Sequence, residues 1–149
     1  MKKFSYRLQA LLKVKEHIEK EKQKDHAVAL QHVHDQQDRI EKLGDDKTTT
    51  VERQRRAMTG RLSVAEMLVF GRYLLNLKKQ QVAEEEILKA ARKVEGAKRE
   101  KLLEATKDRK IYDKHKEKQL GKFSAEVRLQ ETKESDETAG NSHRLKHRP

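Results

Sequence analysis

Apolar residues recur along almost the whole chain in alternating steps of three and four residues. The first half carries a row formed by Phe4, Leu8, Leu11, Ile18, Ala29, Val33, Gln36, Ile40 and Leu43. The second half carries a row formed by Phe70, Leu74, Leu77, Gln81, Leu88, Ala91, Val94, Leu102, Ala105, Arg109, Tyr112, Lys116, Leu120, Phe123 and Val127, with shifts of phase near residues 81–88 and 94–102. Steps of three and four place residues on one side of a helix, so the rows predict two long amphipathic helices. Lys15, Lys22 and Asp25 occupy positions within the first row, which predicts a seam that is only partly apolar.

The composition argues against a layered globular core. Only 34% of the 149 residues are hydrophobic, whereas 41% are charged. Such a chain forms either solvated helices with a narrow seam or a disordered polymer, and the periodicity favours helices. The longest apolar run, Met67 to Phe70, is far shorter than the roughly 20 residues of a membrane span. We therefore expect a soluble chain with no direct membrane insertion.

A helix-stopping signal and a helix-starting signal lie next to each other in AMTGRLSVAEM, residues 57–67. Gly60 can adopt the left-handed conformation that commonly closes a helix. Ser63 and Glu66 have the spacing of a capping box, and Leu62 and Met67 have that of a hydrophobic staple. A connection this short makes two helices antiparallel neighbours.

The sequence therefore predicts an all-α fold, an antiparallel coiled-coil hairpin in one domain over residues 1–135. We place helix 1 at about 4–58, the turn at 59–63 and the longer helix 2 at about 64–132. Facing residues should have numbers that sum to about 121, which pairs Val33 with Leu88 and Ile40 with Gln81. A rival turn at GDDKTTT, residues 44–50, ranks second because no helix-starting signal follows it.

The second helix is predicted to extend past the first. Residues from about 119 onward then have no partner within the hairpin, so Phe123 and Val127 would continue an uncovered apolar row. Partner binding, fraying and self-association are all compatible with such a row. The following residues 136–149 lose the periodicity and gather Ser, Thr, Gly and Asn, which predicts a mostly disordered tail.

Groups suited to catalysis or metal binding are sparse. Cysteine is absent, and no phosphate-binding glycine loop occurs. His143 and His147 have the spacing of a helical metal pair but no acidic third ligand nearby. We predict no enzymatic activity, cofactor, metal or small-molecule substrate.

The net charge of +11 leaves three interpretations of the basic residues open. Lys110, Lys114, Lys118 and Lys122 follow one face of helix 2 and repel each other unless an anion or salt is near. The favoured interpretation is that the row binds an acidic protein surface, and the second is that it is simply a solvated face. Nucleic acid is the least favoured partner, because acidic residues interleave with the basic ones and the few aromatic residues fall mostly on the seam.

Three segments resemble the flagellar export protein FliJ family: FSYRLQALLKVKE near the start, FGRYLLNLKKQQ after the turn, and QETKESDETA near the end. The resemblance covers most of residues 3–139. It implies an antiparallel two-helix coiled coil similar to the central stalk subunit of rotary ATPases. It also implies a non-enzymatic, cytoplasmic component of the flagellar type III export apparatus, peripheral to the membrane at the flagellar base. A basic nucleic-acid-binding coiled coil and a self-associating structural coiled coil are the competing hypotheses.

The resemblance further implies three partners: the hexameric export ATPase, the membrane export gate and export chaperones. Candidate contacts to the ATPase ring are Phe4, Leu8, Leu11, Lys110, Lys114, Lys118, Lys122, Phe123 and Val127. Candidate contacts to the gate are Gln36, Ile40, Leu43, Phe70, Leu74, Leu77 and Gln81. Two positions depart from the family pattern, since Gln81 often corresponds to histidine and Lys47 sometimes to an aromatic residue. The gate candidates also occupy seam positions, so each of them has a purely structural interpretation as well.

Overall fold

The computed structural model describes residues 3–61 and 63–146, with side chains up to residue 142. It contains two helices, α1 over Gln9–Met58 and α2 over Val64–Lys146. The described residues include no strand. The two helices pack as an antiparallel hairpin in which α2 has 83 residues and α1 has 50, which confirms the predicted fold class.

The contacts divide the chain into two units. Unit 1 comprises Met1–Glu19 and Glu104–Pro149, and unit 2 comprises Lys20–Leu103. Unit 2 contains the connection between the helices. Each unit is described separately below.

The enclosed side chains of α1 follow a regular heptad spacing. Val33 and Gln36 are buried in unit 2, and Leu12 is buried in unit 1 with 2% of its surface exposed. Leu11, which the sequence placed in the seam, is instead 38% exposed. The reason is phase, because counting back in sevens from Val33 arrives at Leu12, one residue away from Leu11.

The seam of α2 keeps its spacing through the regions where shifts of phase were predicted. Glu84, Glu95 and Lys98 occupy the intervening positions and are half-buried, whereas Val94 is exposed. The prediction of phase shifts was therefore wrong. The prediction passed over these charged side chains, which remain at seam positions because α1 supplies hydrogen-bonding partners for them.

The connection between the helices is built by local hydrogen bonds. The backbone amide of Glu66 donates to Ser63 Oγ at 3.2 Å, and the amide of Ser63 donates to Glu66 Oε2 at 2.8 Å. These two bonds form a capping box at the start of α2. Leu62 lies outside the described residues, so the staple proposed for Leu62 and Met67 stays a prediction.

Gly60 does not adopt a left-handed conformation, contrary to the expectation from its position. The end of α1 tightens instead, with backbone bonds from Thr59 to Arg56 at 3.2 Å and from Gly60 to Ala57 at 3.1 Å. The Thr59 hydroxyl donates to the same Arg56 carbonyl at 2.6 Å. These bonds satisfy terminal carbonyl groups without a residue of positive φ.

The rival turn at residues 44–50 is helical, and α1 continues through it without interruption. Thr48 Oγ1 donates to the Gly44 carbonyl at 3.0 Å, and Thr50 Oγ1 donates to the Asp46 carbonyl at 2.7 Å. Threonine hydroxyls that bond to the preceding turn are compatible with a helix.

The helix α2 extends to Lys146, beyond the predicted end at about residue 132. All side chains from 128 to 142 are exposed. Hydroxyl groups bond to the preceding turn, as when Thr132 donates to the Arg128 carbonyl at 2.9 Å and Ser142 to the Thr138 carbonyl at 2.9 Å. Local bonds of this kind are available to a helix without tertiary packing, and disorder of residues 136–149 in solution stays a prediction.

Candidate partner-binding surfaces

The segment before α1 covers part of α2 in unit 1. Residues 3–6 are not helical, and the ring centroids of Phe4 and Phe123 lie 5.6 Å apart. An extended chain advances about 3.3 Å per residue and a helix only about 1.5 Å, so Phe4 reaches farther along α2 than a helical residue could. The expectation that Phe123 lacks a covering partner in the same chain was therefore wrong.

Tyr6 is the most enclosed side chain of this segment, with 9% of its surface exposed. Its hydroxyl donates to the Tyr112 carbonyl at 3.3 Å and lies 3.0 Å from Nδ1 of His115. The rings of Tyr6 and His115 are also in contact, with centroids 5.7 Å apart. Sequence reasoning missed Tyr6, because a residue outside a helix follows no helical period, and it therefore also missed His115, whose partner is Tyr6.

A polar cluster lies between the helices of unit 1. Glu19 is buried and accepts hydrogen bonds from the Thr106 hydroxyl at 2.8 Å and from the Arg109 guanidinium, which also donates to Asp113. Beside it, Lys15 Nζ lies 2.8 Å from Asp108 Oδ2. This hydrogen bond raises the pKa of Lys15. In this cluster the charged side chains at the seam have hydrogen-bonding partners. A purely apolar seam would contain no such charged groups.

The candidate ATPase contacts of unit 1 fall into an exposed group and a partly enclosed group. The lysine row, defined as Lys110, Lys114, Lys118 and Lys122, is exposed throughout. Of the apolar candidates, Leu11 is exposed, while Phe4, Leu8, Phe123 and Val127 are half-buried.

In the described part of the chain, three other lysines have a carboxylate partner. Nζ to Oδ or Oε distances are 2.8 Å for Lys15 to Asp108, 2.6 Å for Lys89 to Glu86 and 3.0 Å for Lys98 to Asp25. Within the described residues, the lysine row has no comparable ion pair.

The candidate gate contacts of unit 2 lie in or beside the seam. Gln36 is 2% exposed and Leu77 is 5% exposed. Gln36 Nε2 donates to the Glu84 carbonyl at 3.3 Å and also to the Glu84 carboxylate. A partner could reach these two side chains only if the helices separated. The other five candidates are half-buried and offer their edges: Ile40, Leu43, Phe70, Leu74 and Gln81.

Polar pairs also bridge the helices of unit 2. Lys98 Nζ lies 3.0 Å from Asp25 Oδ2, and His26 Nε2 lies 2.8 Å from Glu95 Oε1. The hydrogen bond from Lys98, followed by the charge of the same group, lowers the pKa of Asp25. Because His26 faces Glu95 and Gln36 faces Glu84, the numbers of facing residues sum to about 121, the register that the turn predicts.

Two further kinds of site have no counterpart in the described part of the chain. Its residues contain no group of three or more His, Cys, Asp or Glu side chains that could hold a metal ion. Among the same residues, neither helix is long and apolar enough to cross a membrane.

An antiparallel pair of helices with a polar, hydrogen-bonded seam defines a coiled-coil protein whose contact surfaces are helix faces. The family model of flagellar FliJ proteins matches residues 4–148, so the chain belongs to the FliJ family. Members of this family are non-enzymatic components of the type III export apparatus, and the chain is a component of this export system.

The solved structure of a proposed YscO homologue from Chlamydia trachomatis matches with a TM-score of 0.46 and 21% identity, over 96% of this chain and 97% of that chain. No curated protein matches the sequence.

Proposed function

We propose that this protein is a stalk-like adaptor of flagellar export. In this proposal, unit 1 binds the hexameric export ATPase, and unit 2 contacts the membrane export gate near the connection between the helices. The adaptor also escorts export chaperones. The protein works at the cytoplasmic face of the membrane at the flagellar base. Family membership supports a role in flagellar export, and the resemblance of individual segments supports the three partners.

The exposed lysine row is the main observation in support of the proposed ATPase contact. Four ammonium groups at successive helical turns raise the positive potential along one face of α2. The described carboxylates leave them unpaired, whereas Lys15, Lys89 and Lys98 each pair with a carboxylate. A partner with acidic residues would relieve this repulsion as it binds.

Apolar groups next to the row supply short-range contact. The Phe4 and Phe123 rings pack together but remain half-buried, as does Val127. Burial of their remaining apolar surface would slow dissociation, whereas the lysines would mainly accelerate encounter. At the gate surface, Phe70 and Leu74 are half-buried, and burial of their remaining apolar surface would likewise slow dissociation.

The proposal predicts that reversing charges in the lysine row slows binding to the ATPase. The double variant Lys114→Glu with Lys118→Glu should lower the association rate constant about tenfold at low salt and change the dissociation rate constant little. Stopped-flow or biosensor kinetics with the purified export ATPase measure both constants. Raising the salt concentration should shrink the difference between the variant and the wild type.

A matched control uses Lys78→Glu with Lys79→Glu, which makes the same change in net charge at two exposed lysines of unit 2. This control should associate at nearly the wild-type rate. Equal slowing in both double variants would show that only net charge matters, and an unchanged rate in the row variant would remove the row from the mechanism. Steep salt-dependent binding to nucleic acid in the absence of export proteins would favour the competing function.

A further inference from the structure

The end of unit 2 that contains the connection between the helices exposes an unusual set of aliphatic side chains. Val64 is 75% exposed, Leu68 is 58% exposed and Val69 is 66% exposed. Met58 and Met67 are also exposed. Exposed apolar groups concentrated in this way mark an interaction surface. We call residues 51–75 the tip segment.

These aliphatic groups surround α2 instead of forming one stripe. Successive helical residues are about 100° apart, so Met67, Leu68 and Val69 point to three different sides. A partner helix packed in a groove covers one side only. A fluid apolar phase can accommodate all three sides at once.

The basic residues of the tip segment are all arginines. Arg53, Arg55, Arg56, Arg61 and Arg72 are exposed, and the segment contains no lysine. Its two acidic residues are Glu52 and Glu66, and Glu66 is already bonded to Ser63 in the helix cap. Guanidinium groups form paired hydrogen bonds to phosphate oxygens, which an ammonium group cannot do.

The two kinds of side chain lie next to each other. A groove of about 270 Å³ is lined by Arg53 together with Val69 and the exposed ring of Tyr73. Tyrosine is enriched where an apolar phase meets water, because its ring is apolar and its hydroxyl is polar. Single-stranded nucleic acid would attract the arginines but would give the aliphatic groups no apolar environment.

We propose that the tip segment docks on the surface of a membrane that contains anionic phospholipids. The arginines bind lipid phosphates, and Val64, Leu68 and Val69 enter the boundary between headgroups and acyl chains. The docking is shallow and reversible. This contact uses residues other than the lysine row and does not require the ATPase interaction proposed above.

The test is flotation of the full chain with vesicles of defined composition. Vesicles of phosphatidylcholine and phosphatidylglycerol at about three to one should bind the protein, and pure phosphatidylcholine vesicles should bind at least about tenfold less. The chain has no tryptophan, so Leu68→Trp introduces a single fluorophore at the tip. Its emission should shift to shorter wavelength when anionic vesicles are added.

Two pairs of substitutions separate the contributions of charge and aliphatic surface. Arg55→Glu with Arg56→Glu should lower vesicle affinity about tenfold or more. Lys114→Glu with Lys118→Glu makes the same change in net charge in unit 1 and should lower it much less. Leu68→Gln with Val69→Gln should also weaken binding about tenfold, whereas Val28→Gln, at another exposed valine of unit 2, should not.

Three outcomes would overturn the proposal. The first is equal loss of affinity in the arginine and lysine variants, which would show attraction by net charge alone. The second is an unchanged emission spectrum of the Leu68→Trp variant while it is bound to vesicles. The third is full binding by the aliphatic variant together with nucleic-acid binding that only the arginine variant loses. Circular dichroism of each variant checks that the helices are intact.

Discussion

Glu66 illustrates how one side chain fixes the start of a helix. Its carboxylate accepts hydrogen bonds from the Ser63 amide at 2.8 Å and from the Ser63 hydroxyl at 2.9 Å. The backbone bond, followed by the hydroxyl bond, lowers the pKa of Glu66. The group lies within four residues of its partner, so the sequence alone could identify the pair.

The lowered pKa of Glu66 gives the start of α2 a pH dependence of known sign. A carboxyl group whose pKa is lower in the folded state contributes stability at pH values above its unfolded pKa, and this stability is lost as pH falls through the folded pKa. Amide hydrogen exchange at residues 63–67, corrected for intrinsic rates, should therefore accelerate in acid. Glu66→Gln should reduce this dependence, and Ser63→Ala should weaken protection at all pH values. Protection that stays constant through the acidic range in the wild type would contradict the role of the carboxylate.

At the residue scale, the least predictable side chains were those with distant partners. Tyr6 bonds to the Tyr112 carbonyl, and Glu19 bonds to Arg109. Neither pairing follows from a local motif, because the two residues of each pair are separated by most of the hairpin. The position of the lysine row on one face of α2, by contrast, followed from its helical spacing alone.

The two helices show at the element scale how a seam tolerates many polar residues. Gln36, Glu84 and Lys98 occupy seam positions, and each finds a hydrogen-bonding partner on the other helix. Such pairs contribute less to stability than apolar packing does. A buried polar group without a partner would instead destabilise the hairpin. The few buried apolar side chains therefore carry a large share of the packing energy.

Leu12 and Leu11 form a natural pair for testing the phase of the seam. Leu12→Ala should lower the free energy of unfolding by about 2 to 4 kcal/mol, because it leaves a cavity between the helices. Leu11→Ala should lower it by less than about 1 kcal/mol, since that side chain already contacts solvent. Urea denaturation followed by circular dichroism measures both values. A larger effect at Leu11 than at Leu12 would restore the phase that the sequence predicted.

At the scale of the whole molecule, the excess of positive charge opposes folding. The net charge is +11, with 36 basic and 25 acidic residues, and compact packing brings the unbalanced charges closer together. Surface ion pairs offset only part of this repulsion, because each one contributes a few tenths of a kcal/mol. The unbalanced charge favours solubility and attraction to anionic partners more than it favours the fold.

Salt should accordingly raise the stability of the isolated protein. Between about 0.02 M and about 0.2 M NaCl the Debye length shortens severalfold, which screens the repulsion among lysines. We expect the midpoint of thermal unfolding to rise over this range. The Lys114→Glu with Lys118→Glu variant lowers the net charge by four, so its midpoint should rise less. A midpoint that falls with salt in the wild type would show that the ion pairs dominate instead.

The sequence by itself determined the two helices, their antiparallel pairing and the cap that starts the second one. These features depend on residues within a few positions of each other, and helical periodicity and capping operate at that range. The tertiary structure alone decided that Leu12 and not Leu11 is enclosed, that Phe4 covers Phe123, and which charged residues fill the seam. Each of these depends on contact between residues far apart in the chain, where a shift of one residue changes the side chain that meets its partner.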